Sequence, residues 1–158
     1  MIEVGRKAPA FTLPDQHGRK HAQRDGAGRP MVLYFYPKDD TPGCTQEACE
    51  FRDLLPRFDG AGATVFGISP DSSASHAEFA GKLGLDFTLL ADAPGRDGVP
   101  RVCAKYGVWQ EKLMFGRKTM GVVRTTYLID AAGRVARRWD RVSVPGHAAD
   151  VLEAVKAL

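Results

Sequence analysis

The sequence has no apolar run approaching the ~18–20 residues that a membrane helix needs. Its opening segment, MIEVGRKAPAFTLPD, is interrupted by Glu3, Arg6, Lys7, Pro9 and Pro14. It therefore has no apolar leader core, and neither a membrane span nor a secretory signal is expected. Cysteine is scarce, with 3 in 158 residues. An odd and low count does not build the disulfide framework of a small secreted protein. Charge of one sign is also lacking. The 22 Lys and Arg against 19 Asp and Glu leave a net +3, too even a balance to argue for nucleic acid or a membrane surface as partner. Internal repeats, low-complexity tracts and linkers are missing, so a single domain over residues 1–158 is expected. The expected location is cytoplasmic, where thiols stay reduced and are free for chemistry.

What is present is ordinary for a globular chain: 44% hydrophobic and 26% charged residues. At this length about two-thirds of the unfolded surface can be buried, so a core needs no staples. Phe11 to Lys20, with Pro14 and a turn-like Asp15–Gly18, predicts a short N-terminal hairpin. Met31 to Tyr36 (MVLYFY) and Thr64 to Ser69 (TVFGIS) are continuous apolar runs of the kind buried on both faces of a sheet. Phe87 to Ala91 predicts a further strand, and Thr125–Ile129 with Val135–Trp139 a hairpin around Asp130–Gly133. Helical spacing of Ala48, Phe51, Leu55 and Phe58 predicts a helix over Thr45 to Phe58, with Pro56 liable to break its far end. Further helices are expected over Ala74–Leu83, capped from Asp71–Ser73 and stopped by Gly84, over Val99–Tyr106, and over Gly146–Leu158. Alternating strands and helices, with a hairpin near the end, imply an α/β fold: a thioredoxin-like mixed sheet flanked by helices, with an N-terminal hairpin extension.

The chemistry concentrates in Tyr34 to Asp53, YFYPKDDTPGCTQEACEFRD. A buried strand ends at Pro37, a polar loop follows, and a helix opens near Cys44. Free N–H groups at a helix start stabilise a thiolate. An ordinary thiol titrates near 8.5, and sites of this kind bring it to roughly 3.5–7.5. Thr41, three residues before Cys44, can either bond the thiolate or cap the helix. Cys49 follows Cys44 by five residues. On a helix that separation is about 140° of rotation and about 7.5 Å of rise. A disulfide needs Cα atoms closer than about 7 Å, so the two could join only if the first turns unwound. The spacing leaves other readings open. Zinc prefers C-x2-4-C pairs, and the histidines here (His17, His21, His76 and His147) are scattered, so no metal site is expected. A C-x-x-C redox motif is absent. Two inert buried cysteines would satisfy the same spacing.

The segment YFYPKDDTPGCTQEACEFRD closely resembles the active-site segment of Q-type peroxiredoxins, the bacterioferritin comigratory protein-like thiol peroxidases. Ala8–Asp15 (APAFTLPD), Val65–Ser69, Phe87–Asp92, Tyr106–Trp109 and Arg124–Asp130 (RTTYLID) resemble further landmarks of that family in order along the chain. The resemblance implies a thioredoxin-like fold and reduction of hydrogen peroxide and organic hydroperoxides. It implies Cys44 as the peroxidatic cysteine, Thr41 bonding the reacting atoms, and Pro37 shielding the thiolate. Arg124 would stabilise thiolate and peroxide, Glu47 would orient Arg124, and backbone N–H groups near Gly43 and Cys44 would help hold the peroxide. It further implies Cys49 as the resolving cysteine, an intramolecular Cys44–Cys49 disulfide, thioredoxin or a similar dithiol as reductant, and no cofactor: neither metal, haem nor flavin. The lack of a long C-terminal extension favours a monomer.

From the residues alone, Arg124 is equally a surface arginine at a strand start, like Arg134, Arg137, Arg138 and Arg141. Cys103 reads as a buried small hydrophobe, with an alternative resolving partner as its second reading. Residues 93–100 read as a loop insertion rich in Pro and Gly. A peroxide sensor or redox relay that passes its disulfide to a partner would use the same low-pKa cysteine. It differs from an enzyme only in failing to turn over.

Overall fold

The computed structural model describes residues 1–158. Five strands form the central sheet: β3 (Met31–Phe35), β4 (Thr64–Ser69), β5 (Thr88–Ala91), β8 (Thr125–Ile129) and β9 (Val135–Trp139). Their order is β5-β4-β3-β8-β9. β3, β4 and β5 run parallel, whereas β8 is antiparallel to both β3 and β9. An N-terminal hairpin, β1 (Thr12–Pro14) with β2 (Lys20–Ala22), touches the sheet edge through Asp15 opposite Leu90. The helices are α1 (Pro42–Gly60), α2 (Ser73–Leu83), α3 (Arg101–Lys105) and α4 (His147–Lys156). No helix is long and apolar enough to cross a membrane.

The continuous apolar run of β3 is explained by its neighbours. Val32, Tyr34 and Tyr36 face α1, α2 and α4, packing with Ala48, Phe51, Phe79 and Val151. Met31, Leu33 and Phe35 face the opposite side, with Ile68, Leu90, Val102 and Tyr106. A strand covered on both faces has no polar side to alternate with. Cys44 belongs to the first packing group and Cys103 to the second, so the sheet lies between them. Cys103 is fully buried, and burial reinforced by Asp92 pushes its thiol far up.

The elements differ from expectation in three places. α1 starts at Pro42, three residues before the expected Thr45. Proline suits a first helical position because its missing N–H would have no partner there. The helix also continues through Pro56 to Gly60, held by the fully buried Phe51 and Phe58 on either side. The third helix is shorter than expected, with Pro100 as its N-cap. A further hairpin, β6 (Trp109–Met114) with β7 (Arg117–Val122), had no counterpart in the sequence reading. Its two-residue turn is Phe115–Gly116, both with positive φ (52° and 77°). That is the conformation of a type I′ turn, whose usual signal is Asn-Gly. A phenylalanine in the first position hides it.

The loop from β3 to α1 is fixed from below by a buried polar cluster. His76 of α2, fully buried, faces Asp39 Oδ2 with Nδ1 at 2.7 Å and the Leu90 carbonyl with Nε2 at 3.0 Å. Asp39 also accepts from Tyr36 Oη at 2.6 Å and Ser75 Oγ at 2.8 Å, while its own N–H donates to Asp71 Oδ2 at 2.8 Å. Burial works against the Asp39 charge, but the bonds from His76 and Tyr36 outweigh it and hold the carboxyl below its usual range. The buried ring thus bridges Asp39, five residues before Cys44, and the Leu90 carbonyl. Replacing His76 with leucine leaves both groups buried without that partner. The expected loss is about 1–3 kcal/mol, read from urea unfolding. An unchanged stability would show that the bridge does not hold the loop.

Candidate active site

Cys44 is the third residue of α1 and is 2% exposed. Arg124, the residue before β8, reaches over the first turn. Its Nη2 donates to Cys44 Sγ at 3.3 Å and its Nη1 to Glu47 Oε1 at 2.6 Å. Glu47 follows Cys44 by three residues, so both point from one face of α1 into the same guanidinium. Gly43 makes room for this approach: a Cβ there would stand 3.1 Å from Arg124 Nη2. The backbone presenting Arg124 is pinned as well. The Val123 carbonyl accepts from Thr125 Oγ1 at 2.7 Å, and the Arg124 carbonyl from the Val142 N–H at 3.0 Å.

The electrostatics follow from burial. Burial works against the Arg124 charge, but Glu47 and Cys44 outweigh it and the guanidinium is held more firmly protonated than usual. Glu47 is 1% exposed, and burial raises its carboxyl against the pull of Arg124 to about 7. Its Oε2 has no hydrogen-bond partner. Tyr34, stacked on Phe51 with ring centroids 4.6 Å apart, has an equally unpartnered buried hydroxyl. Burial raises its phenol strongly, and the nearby Glu47 and Cys44 charges add to this. Sequence reading treats Tyr34 only as core, because nothing in a strand pattern marks which core tyrosine borders a thiol.

The other expected residues are placed less centrally. Thr41 is the N-cap of α1, but its Oγ1 donates to the Lys38 carbonyl at 2.9 Å. In this state it bonds neither Cys44 nor the helix N–H groups, the two partners considered for it. Pro37 is half-buried between β3 and the polar loop. Cys49 lies one turn beyond Cys44, half-buried, and all three cysteines are free thiols. Because α1 is helical through both positions, the i, i+5 geometry keeps Cys44 and Cys49 apart in this state. Residues 93–98 form an exposed loop.

Asp39, Asp71 and His76 place ligand atoms within 4.8 Å of one another, a spacing a metal ion could use. Those atoms are already engaged: Asp71 Oδ2 accepts from Ser69 Oγ and the Asp39 N–H, and Asp39 and His76 bond each other. Chemically, the site around Cys44 offers a buried sulfur at a helix start, a fixed cation bonded to it, and a carboxylate orienting that cation. Such a site stabilises a thiolate, and it stabilises negative charge developing on an oxygen brought against the sulfur.

Residues 4–138 match the model of the AhpC/TSA family. The chain is 50% identical over 151 residues to a putative peroxiredoxin bcp of Coxiella burnetii, covering 96% of this chain and 97% of that protein. It is 43% identical to the peroxiredoxin Bcp of Bacillus subtilis, covering 98% and 96%. Among solved structures, the bacterioferritin comigratory protein of Xanthomonas campestris, studied for its alkyl peroxide reduction activity, superposes with a TM-score of 0.88 at 40% identity, covering 98% of each chain. A Xylella fastidiosa PrxQ variant superposes at 0.90 with 37% identity, covering 99% and 97%.

The raised carboxyl of Glu47 has a testable sign. Its folded value, about 7, lies above its ordinary 4.5, so the folded state holds the proton more tightly. Stability from this group is fully present below pH 4.5 and is lost as pH rises toward 7. Glu47→Gln keeps an acceptor for Arg124 and removes the titration. From pH 5 to pH 8 the wild type should therefore lose stability relative to Glu47→Gln, by an amount of order 2–3 kcal/mol. Urea unfolding of both proteins across that range checks it, and parallel profiles would contradict it.

Proposed function

The chain belongs to the AhpC/TSA family, among its Bcp or Q-type peroxiredoxins, and from that premise we propose that Cys44 is its peroxidatic thiolate and Cys49 its resolving thiol. The enzyme is a thiol peroxidase that reduces hydroperoxides at the expense of a thioredoxin-type dithiol. The observation that carries the residue assignment is the fork of Arg124, which bonds Cys44 Sγ with one nitrogen and Glu47 with the other.

In the proposed cycle Cys44 Sγ attacks one peroxide oxygen in line with the O–O bond. The sulfur gives an electron pair to the new S–O bond, and the O–O pair leaves on the distal oxygen, which takes a proton and departs as water or alcohol. Arg124 faces both the sulfur and the growing negative charge, a fixed donor that needs no reorganisation. Cys44 is left as a sulfenic acid. The Cys49 thiolate then attacks that sulfur, hydroxide leaves and takes a proton to become water, and a disulfide forms. An external dithiol reduces it by exchange. Thr41 turns from the Lys38 carbonyl toward the bound peroxide, and Pro37 and the Gly43–Cys44 backbone complete its surroundings. With Cys44 and Cys49 on one helix, the proposed cycle needs no cysteine from a second subunit, in keeping with a monomer built as one domain. The reduced dithiol it requires supports a cytoplasmic location.

Resolution demands a conformational change. Cys44 and Cys49 are separated by about 7.5 Å of helix rise and about 140° of rotation, whereas a disulfide needs Cα atoms within about 7 Å and side chains that face each other, so the helix must open between them. The same opening breaks the Arg124–Glu47 bond, the Gln46–Glu50 bond of 3.1 Å, and the contact of Glu50 Oε1 with the Gly146 N–H at the start of α4, 3.0 Å.

With thioredoxin, its reductase and NADPH, the protein should consume hydrogen peroxide and an organic hydroperoxide catalytically. Cys44→Ser should abolish this, and Cys49→Ser should allow one oxidation but no cycling. Mass mapping after one equivalent of peroxide should find Cys44 joined to Cys49. A Cys44–Cys103 bond, an intermolecular bond, or oxidation without turnover would overturn the assignment, the last in favour of a sensor. Amide exchange supplies a second check: protection over residues 44–51 should fall in the disulfide form. Equal protection in both redox states would exclude the unwinding.

A further inference from the structure

The β6–β7 hairpin forms a two-stranded sheet of its own, and only part of it is exposed to water on both sides. Along β6, Lys112 is half-buried between the exposed Glu111 and Leu113, so the strand's period of two turns Lys112 inward. Its ammonium does not stay with its cross-strand partner Thr119. It reaches along β7 and donates to the Val122 carbonyl at 2.7 Å. The side chain lies flat across Gly121, where a Cβ would stand 2.9 Å from Lys112 Cδ. The three successive carbonyls of Val122, Val123 and Arg124 are thereby each occupied, by Lys112 Nζ, Thr125 Oγ1 and the Val142 N–H. The first of these anchors is the ammonium of a lysine.

The ammonium also lies within electrostatic reach of the site. Burial lowers the Lys112 value and the Arg124 charge lowers it further, while the Cys44 charge pulls it back. The charged or titratable groups facing Cys44 are therefore Arg124 from the segment before β8, Glu47 from α1, Tyr34 from β3, and Lys112 from β6.

We propose that Lys112 is a positioning residue of the peroxide site, holding through the Val122 carbonyl the backbone that presents Arg124 to Cys44. This rests on Cys44 being the reacting thiolate. Arg124 stabilises the ionised sulfur only while it stays within bonding distance, so a backbone released at Val122 lets the cation drift and disfavours the thiolate.

The test uses the full chain with Lys112→Met, which keeps the stem, Lys112→Arg, which keeps the charge, and Lys118→Met as a control. Lys118 belongs to the same hairpin and its side chain is 80% exposed. Two quantities are read: the rate of Cys44 oxidation by hydrogen peroxide in a single turnover, and the pH profile of Cys44 alkylation. Lys112→Met should slow oxidation at pH 7 about tenfold and move the alkylation profile to higher pH. Lys112→Arg should recover most of both, and Lys118→Met should leave both unchanged. Unmoved profiles in Lys112→Met would overturn the proposal, as would an equal shift in Lys118→Met, which would make the effect one of net charge. A slower rate with a lowered melting temperature and an unmoved profile would reduce Lys112 to a scaffold residue and overturn it too. Failure of the underlying reading is separable: in that case Cys44→Ser would still cycle peroxide, whatever Lys112 does.

Discussion

Everything at this site depends on one guanidinium being held between a sulfur and a carboxylate out of water. A planar fork with two nitrogens 2.6 Å from Glu47 and 3.3 Å from Cys44 fixes a direction as well as a charge, which a lysine ammonium cannot do. The requirement propagates outward. Cys44 and Glu47 must sit one helical turn apart, so α1 must already be helical at its third residue. That is what Pro42 and Thr41 arrange. Arg124 must come from a strand end that cannot drift, and β8 lies in the middle of the sheet, paired on both sides. The loop before α1 must not drift either, and the Asp39–His76 pair ties it to α2.

Much of this frame was legible in the residues. β3 and β4 announced themselves because a strand covered on both faces is apolar throughout, and the 125–139 hairpin appeared at its expected limits. Cys44 could be singled out because a buried strand, a polar loop and a helix start place it where thiolates are stabilised. Arg124 could not. Nothing local distinguishes it from the chain's other arginines, and only its place in the family's RTTYLID-like segment, or the fold that carries it to α1, gives it a role. The β6–β7 hairpin stayed hidden for a local reason, a phenylalanine at positive φ where turn chemistry favours asparagine. Lys112 was hidden with it. The polar cluster under the catalytic loop draws on Tyr36, Asp39, Asp71, Ser75 and His76, whose meeting is a product of tertiary structure and leaves no periodicity to read.

The site also carries a tension that the fold does not resolve. Glu47 gives one oxygen to Arg124 and leaves the other buried without a partner. An unsatisfied buried polar atom costs about 1–3 kcal/mol, and more when it carries charge. Nearby, the Tyr34 hydroxyl is unpartnered as well, so two orphaned groups lie near the Cys44 sulfur. A core selected only for stability would have filled this space with hydrocarbon. The carboxylate is kept because it aims the cation, and its cost is borne by the turn that contains it.

That cost and the proposed unwinding bear on the same residues. When the first turns of α1 open, Glu47 returns to water and its desolvation is relieved. The free energy stored at the site in the closed state thus offsets part of the hydrogen bonds lost on opening. The boundaries of the opening are set by packing. Upstream, Asp39 is pinned through His76. Downstream, Phe51 is fully buried against Tyr34 and Phe58. Between these anchors lie Cys44, Glu47 and Cys49; Cys44 and Ala48 pack in the core, whereas Gln46, Glu47 and Glu50 make polar or charge-assisted contacts. Such contacts are strong when closed, yet their groups are well solvated when open, so the difference between the two states is smaller than the contacts alone suggest. The same buried carboxylate that orients Arg124 therefore makes the closed helix easier to leave, and in the proposed cycle one residue at one position would link the peroxide step to the resolving step.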